Sequence, residues 1–195
     1  MVPNGVIYST AISSYQRADP LRPDTALALL NHAIDEAAST GMEVVSVVGF
    51  NTVISAMARA GKWQTAVRLL DEMLFHSCSY STPYDTDDTL WDSLCPGSAE
   101  LPPLLKIPPT TGDAGANASA FVPEPDEVTY GTLMAACERA GQWEELLRIA
   151  RAARSHPGVD LDGMALTSAL KACQQLGRAD KAMAYLDVMK QLGGN

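Results

Sequence analysis

The chain has no run of eighteen apolar residues among its 195, so the sequence predicts no membrane-spanning helix. It also has no C-x-x-C pair, no H-x-E signature, no Gly-rich phosphate loop and no G-x-S-x-G. These absences argue against zinc deaminases, nucleotide-binding loops and serine hydrolases. The three histidines, His32, His76 and His156, share no spacing that indicates a site. We therefore predict a chain that is not an enzyme and that holds no metal or cofactor.

Basic residues are also scarce. Fourteen lysines and arginines stand against 23 acidic residues, giving a net charge of -9. Such a balance argues against nonspecific binding to nucleic acid. The excess is concentrated in residues 75–124, which hold seven acidic residues and only Lys106, whereas the remainder carries a net charge of -3. The remainder is therefore weakly acidic and lacks an evident basic groove.

Four cysteines are present. Cys137 and Cys173 occupy equivalent places in two similar segments, at positions that favour small packed side chains. We predict that both are buried free thiols in a reducing compartment. Cys78 and Cys95 lie in the middle of the chain, where a disulfide or a metal shared with His76 is an alternative with only a weak signal.

Residues 47–73 form the best-defined element of the sequence. Apolar residues recur there at intervals of three and four on both sides of Gly61, which indicates two amphipathic helices. Gly61 is typical of the residue just past a helix C-terminus, where a left-handed backbone costs glycine little. A helix pair this short needs similar neighbours to bury its apolar faces.

Similar hairpins do follow and precede it. Phe50, Arg59 and Trp63 reappear 80 residues later as Tyr130, Arg139 and Trp143. A third copy is offset from the second by 36 residues, and a fourth lies upstream, with Tyr8 preceding Phe50 by 42 residues. The predicted fold class is therefore all-α, an α-solenoid of about four antiparallel helical hairpins with a long irregular insertion.

The insertion, residues 75–124, is rich in proline and glycine as well as acidic residues, and is predicted to be an exposed loop. Trp91 and the segment 101–107 are apolar enough to pack on this protein's own surface or on a partner. The predicted organisation is repeat 1 over 1–46, the helical part of repeat 2 over 47–74, the insertion over 75–124, the close of repeat 2 with repeat 3 over 125–162, and an incomplete repeat 4 over 163–195.

The hairpins resemble the pentatricopeptide repeat (PPR), a unit of two antiparallel helices. The matching stretches are 48–54, Arg59-Ala60-Gly61, 69–73 and the junction 125–130. The tetratricopeptide repeat is the near alternative, but its Trp-x-x-Leu-Gly-x-x-Tyr pattern is absent. Residues 1–5 lead directly into a repeat helix without a targeting segment. We expect a piece of a longer solenoid, or a mature form trimmed at both ends.

The resemblance implies recognition of single-stranded RNA at one base per repeat. Carried over residue by residue, it assigns three sets. The implied base-reading residues are Ser9 with Ser46, Asn51 with Asp126, Gly131 with Asp162, and Thr167. The implied base-clamping residues are Val6, Val48, Val128 and Met164. The implied phosphate-contacting residues are Arg17, Arg59 and Arg139, for which a favourable interaction with the helix C-terminus is the alternative.

Two functions follow from these expectations. The first is an organellar protein, in the mitochondrion or chloroplast, that binds single-stranded RNA in its processing, stability or translation. The second is a scaffold, an accessory subunit of a large organellar assembly such as a ribosome or membrane-protein complex, whose partner docks at the 75–124 insertion. The acidic balance and the single conventional base-reading pair, Asn51 with Asp126, support the second, but the family resemblance favours the first. A catalytic domain outside the segment is a third option.

Overall fold

The computed structural model describes residues 8, 10–14, 22–40, 45–77, 104–105 and 122–193. All secondary structure in these residues is helical, and none of it is strand. Residues 10–14 are helical, and seven longer helices follow. They are α1 (Pro23–Thr40), α2 (Val47–Arg59), α3 (Trp63–Ser77), α4 (Glu127–Arg139), α5 (Trp143–Ser155), α6 (Gly163–Gln175) and α7 (Ala179–Gly193). The predicted all-α class of paired helices is confirmed.

The turns between paired helices are built alike. Gly61, Gly141 and Gly177 have positive φ angles of 75°, 68° and 65°. The amide of each glycine donates to a carbonyl three residues back, and the next amide donates to the carbonyl five residues before it, at 2.9 Å in all three turns. This is the Schellman arrangement, which satisfies carbonyls at a helix end and favours glycine. The first helix of each of these three hairpins therefore ends just before its glycine, as the sequence predicts for Gly61.

The chain divides into two compact units, Met1–Pro125 and Asp126–Asn195. In the first unit α2 packs against both α1 and α3. Its core contains Leu30, Ile34, Phe50, Met57 and Leu70, all without solvent exposure. The helix α1 is long, with 18 residues, and ends at Thr40.

In the second unit α4 packs against α5 and α6, α5 also packs against α6, and α6 packs against α7. Tyr130, Leu133, Leu146, Ile149 and Leu166 are fully buried between these helices. The unit is therefore two hairpins that bury their apolar faces against each other, the arrangement of an α-solenoid. The repeat boundaries drawn through the insertion stay a prediction.

Part of the insertion packs on helices α1 and α3 of the first unit. The carboxylate of Glu72 on α3 accepts hydrogen bonds from the amides of Leu104 and Leu105, at 2.6 and 2.7 Å. Asn31 Nδ2 on α1 donates to the carbonyl of Leu104 at 3.0 Å, and the side chain of Leu105 is buried. Of the two surfaces considered for this apolar segment, Leu104 and Leu105 therefore use the protein's own. Trp91 lies outside the described residues.

None of the described helices has the length and apolarity needed to span a bilayer.

Candidate nucleic-acid interface

Three of the predicted base-clamping residues are large apolar side chains in solvent. Val48, Val128 and Met164 are 59%, 59% and 79% exposed. Each is the second residue of its helix, in α2, α4 and α6 respectively. The structure therefore gives them the same position in three successive hairpins. Val6 lies outside the described residues.

Their exposure follows from helix geometry. Two residues after each of them comes a fully buried side chain, Phe50 after Val48 and Tyr130 after Val128. Residues two apart lie about 200° apart around a helix axis. Burying the helix-opening aromatic against the second helix therefore turns the preceding apolar residue to the opposite face.

The predicted base-reading residues on the first helices differ from one repeat to the next in their exposure and contacts. Asn51 is half-buried, and Thr167 is exposed with its hydroxyl donating to the carbonyl of Gly163 at 2.7 Å. Gly131 is half-buried inside α4, and a Cβ added there would meet nothing within 4 Å. Thus the side chain missing at Gly131 leaves open space rather than a packed contact. Ser9 lies outside the described residues.

The predicted partners at the repeat junctions precede helices. Asp126 Oδ1 accepts from the amide of Thr129 at 2.8 Å, and the Thr129 hydroxyl accepts from the Asp126 amide at 3.2 Å, a capping box. Asp162 Oδ1 accepts from the amide of Ala165 at 2.7 Å. Ser46 precedes α2 without a side-chain cap. The two aspartates therefore stabilise helix N-termini, a role that the sequence interpretation missed. Their base-reading role, including the Asn51–Asp126 and Gly131–Asp162 pairs, stays a prediction.

The predicted phosphate-contacting arginines end their helices. Arg59 and Arg139 are exposed and are the last residues of α2 and α4. This position suits a cation because the helix C-terminus carries a partial negative charge. It leaves the guanidinium in solvent as well, so the contact with phosphate stays a prediction. Gln175 takes this place in α6, and Arg17 lies outside the described residues.

Sequence reasoning missed a recurring contact between tyrosine and histidine. The hydroxyl of Tyr8 hydrogen-bonds His32 Nδ1 at 2.9 Å and donates to Glu36. Burial, aided by Glu36, raises the pKa of Tyr8 to about 12. In the second unit the rings of Tyr130 and His156 lie 6.0 Å apart. The histidines are placed against helix-opening aromatics of their own hairpins, a relationship that only the aromatic-to-histidine spacing could have indicated.

Cys137 and Cys173, which occupy equivalent places in two repeats, are free and buried, as predicted. Burial raises the pKa of the Cys137 thiol to about 12 and also raises that of Cys173. Both thiols are therefore protonated and unreactive near neutral pH. Among the described residues no group of histidine, cysteine and acidic side chains is arranged to hold a metal ion. Cys78 and Cys95 lie outside the described residues, as does the weak metal alternative that includes them.

Among the described residues, three turns are built alike and three first helices expose an apolar residue at the same position, which defines a helical-repeat protein. Comparison with protein-family models identifies PPR repeats at residues 44–74, 128–149 and 165–194. The chain therefore contains PPR repeats at these three stretches, and proteins built of such repeats in general bind RNA. The matches overlap the predicted second, third and fourth repeats. In the predicted first repeat the structure describes the helical residues 10–14 and α1, and no family model matches there apart from residues 44–46. A comparison with curated proteins gives no match.

Proposed function

We propose that this chain binds single-stranded RNA at the first-helix face of its hairpins, defined in the second unit by Val128 and Met164 and in the first unit, taken by itself, by Val48. In this proposal the protein acts on organellar transcripts, in the mitochondrion or chloroplast, in their processing, stability or translation. The single observation that carries it is the exposure of three apolar side chains at one repeated position. Single exposed apolar residues are normal on a protein surface, but exposure at the same position of three hairpins is a repeated pattern, and the proposal rests on that repetition.

In the second unit two base-clamping residues lie on neighbouring helices. Val128 and Met164 are the second residues of α4 and α6, which pack against each other. Packed helices lie about 8–10 Å apart. We infer that a base lies between the two side chains, where van der Waals contact of about 3.5–4 Å on each of its faces stabilises it.

Charge also favours the second unit as the RNA-binding part. It carries nine acidic and eight basic residues, whereas the first unit carries fourteen acidic and six basic. Repulsion of phosphate therefore comes mainly from the first unit, and salt screens it over about 8 Å at physiological ionic strength. Because Gly131 offers no side chain to a base edge, we propose binding of low sequence specificity.

The test is fluorescence anisotropy of a labelled ten-nucleotide oligouridine titrated with the whole chain across a salt series. Met164→Asp is compared with Met183→Asp, since Met183 is a similarly exposed methionine on α7 and the charge change is the same. We expect Met164→Asp to weaken binding about tenfold, because it removes one apolar clamp from the site, and Met183→Asp to change it less than about twofold.

Equal weakening by both variants would show a general charge effect and contradict the first-helix site. Absence of binding at low salt would contradict RNA recognition itself. That second result would favour the scaffold of an organellar assembly, the function that the fourteen acidic residues of the first unit support better.

A further inference from the structure

A second surface of the second unit lies on the other helices of its hairpins. Between α5 and α7 there is a cavity of about 300 Å³. We call it the α5–α7 groove and define it by the residues that line it, Leu147, Arg151, Arg154, Ser155, Lys181, Ala184 and Tyr185. Three of these seven are cationic, although the unit as a whole is nearly neutral. The groove is separate from the first-helix face.

No ion pair between described residues is found for Arg151, Arg154 or Lys181. The pairs of Lys62, Arg148, Lys171, Arg178 and Lys190 all lie outside the groove. Arg154 instead lies 5.5 Å from the centre of the Tyr185 ring. That contact holds the guanidinium at the groove wall, because cations are attracted to aromatic faces. The positive charge is therefore oriented without being neutralised.

The corresponding groove of the first unit is occupied. The buried residues Ala26, Leu30 and Ala33 of α1 match Leu146, Ala150 and Ala153 of α5, at an offset of 120 residues. With this alignment Asn31 is the counterpart of Arg151. Asn31 binds the carbonyl of Leu104, and Glu72 on α3 binds the amides of Leu104 and Leu105.

This occupant shows what such a groove can hold. Leu104 and Leu105 use their main chain for hydrogen bonds to both flanking helices, and the Leu105 side chain is 2% exposed. The segment bends at Leu104 and Leu105, and it is held by main-chain hydrogen bonds together with one buried apolar anchor. A groove between second helices in this chain therefore has the form of a peptide site.

The two grooves differ in charge at the matching positions. Aligned on the turn glycines Gly61 and Gly177, Glu72 corresponds to Val188. The α5–α7 groove thus lacks the carboxylate that binds amides, and it has Arg151 where the first unit has Asn31. It is suited to a ligand that brings carboxylates of its own, because charge-assisted hydrogen bonds to arginine are stronger than neutral ones.

We propose that the α5–α7 groove binds a short acidic segment of a partner protein. An apolar side chain of that segment packs on Leu147 and Ala184, and its carboxylates pair with Arg151 and Lys181. A protein segment fits better than RNA, because the Tyr185 ring is buried in the wall and offers no free face to a base. The inference goes beyond RNA binding and uses the opposite helices of the hairpins.

The probe is a fluorescein-labelled eight-residue peptide of alternating aspartate and leucine, compared with a peptide of asparagine and leucine. Both are titrated into the whole chain by anisotropy. We expect the aspartate peptide to bind the wild-type chain about tenfold more tightly, and Arg151→Gln with Lys181→Gln to abolish that difference, because two partly exposed ion pairs contribute about 1–2 kcal/mol together.

The matched control is Lys62→Gln with Lys190→Gln, which removes the same net charge from exposed ion pairs outside the groove. This control is expected to keep the preference for aspartate. Far-ultraviolet circular dichroism and a melting curve establish that both double variants fold. Loss of the preference in the control, or its retention in the groove variant, overturns the proposal.

Three further outcomes are also decisive. Equal binding of the two peptides, or binding of neither, rules out an acidic segment. Loss of oligouridine binding in the groove variant, without an effect on the peptides, assigns the groove to RNA phosphates. If sedimentation equilibrium shows self-association of the wild-type chain and the groove variant is monomeric, a second copy of this chain is the occupant. Since Met164→Asp tests RNA binding without touching the groove, failure of one proposal is distinguishable from failure of the other.

Discussion

Glu138 on α4 is joined to Lys171 on α6 by a hydrogen-bonded ion pair, with Nζ 2.6 Å from Oε1. The second carboxylate oxygen of Glu138 accepts from the Ser168 hydroxyl, also at 2.6 Å. The ammonium of Lys171 also lies 5.9 Å from the centre of the Trp143 ring. One carboxylate therefore ties the first helices of two successive hairpins together.

The pH dependence of that tie is our first prediction. Hydrogen bonds from Lys171 and Ser168 lower the pKa of Glu138 below its ordinary value of 4.5. Its contribution is therefore complete above pH 4.5 and is lost as the pH falls through the lower folded-state pKa. We expect Glu138→Gln to cost about 0.5–1 kcal/mol at pH 7, a figure that allows for solvent screening, and almost nothing at pH 2–3. Urea unfolding at pH 7, 5 and 3 measures this.

Asp187→Asn is the control for Glu138→Gln, because Asp187 and Lys190 form an exposed pair at 3.4 Å within one helix. It should change the free energy of unfolding little at any pH. A cost of Glu138→Gln that stays constant from pH 7 to pH 3 would contradict the role given to its charge.

The second prediction concerns the segment held by Glu72. Glu72→Ala removes the acceptor of two amides, each of which donates to a charged oxygen. Hydrogen bonds to charged groups contribute about 1.5–3 kcal/mol each. We expect amide hydrogen exchange at Leu104 and Leu105 to accelerate about tenfold or more. Gln64→Ala, an exposed change on the same helix, should leave that exchange as it is.

The third prediction uses the same substitution at two glycines. Gly131 lies inside α4 with open space around the added Cβ, so Gly131→Ala should raise the free energy of unfolding by about 0.5–1 kcal/mol. Gly141 also has open space but a φ of 68°, so Gly141→Ala should lower it by about 1–2 kcal/mol. Thermal or urea unfolding measures both. Effects of the same sign would refute the assignment of the turn.

The fourth prediction concerns the buried thiols. In the folded chain at pH 8, Cys137 should remain unlabelled by iodoacetamide, because its pKa of about 12 keeps it protonated and burial excludes the reagent. Cys173 should behave alike. Peptide mapping by mass spectrometry, with and without urea, reads each site separately. Labelling of Cys137 at the rate of a free thiol without denaturant would contradict the packed interior.

The helices and their turns were predictable because their signals are local. Apolar spacing around Phe50 predicts which face of α2 is buried, and Gly61 predicts where the helix ends. The exposure of Val48 follows from the same periodicity. Each of these depends on residues within a few positions of one another.

The contacts that the sequence did not reveal join distant positions. Glu72 and Leu104 are 32 residues apart, and Arg154 and Tyr185 are 31 apart, with no repeated pattern to relate them. Periodicity defines a face of a helix, but it does not say which side chain of a distant segment that face meets. Asp126 and Asp162 had a local signal, since aspartate before a helix favours an N-cap, but the sequence analysis used them only for base reading.

The three glycine turns have a consequence for how such a chain can change. Each turn closes through hydrogen bonds among its own neighbouring residues, so the bend between paired helices is specified locally. A hairpin that is copied, deleted or moved would carry its bend along. Arrays of this kind can therefore grow or shrink by whole modules while each surviving module keeps its shape.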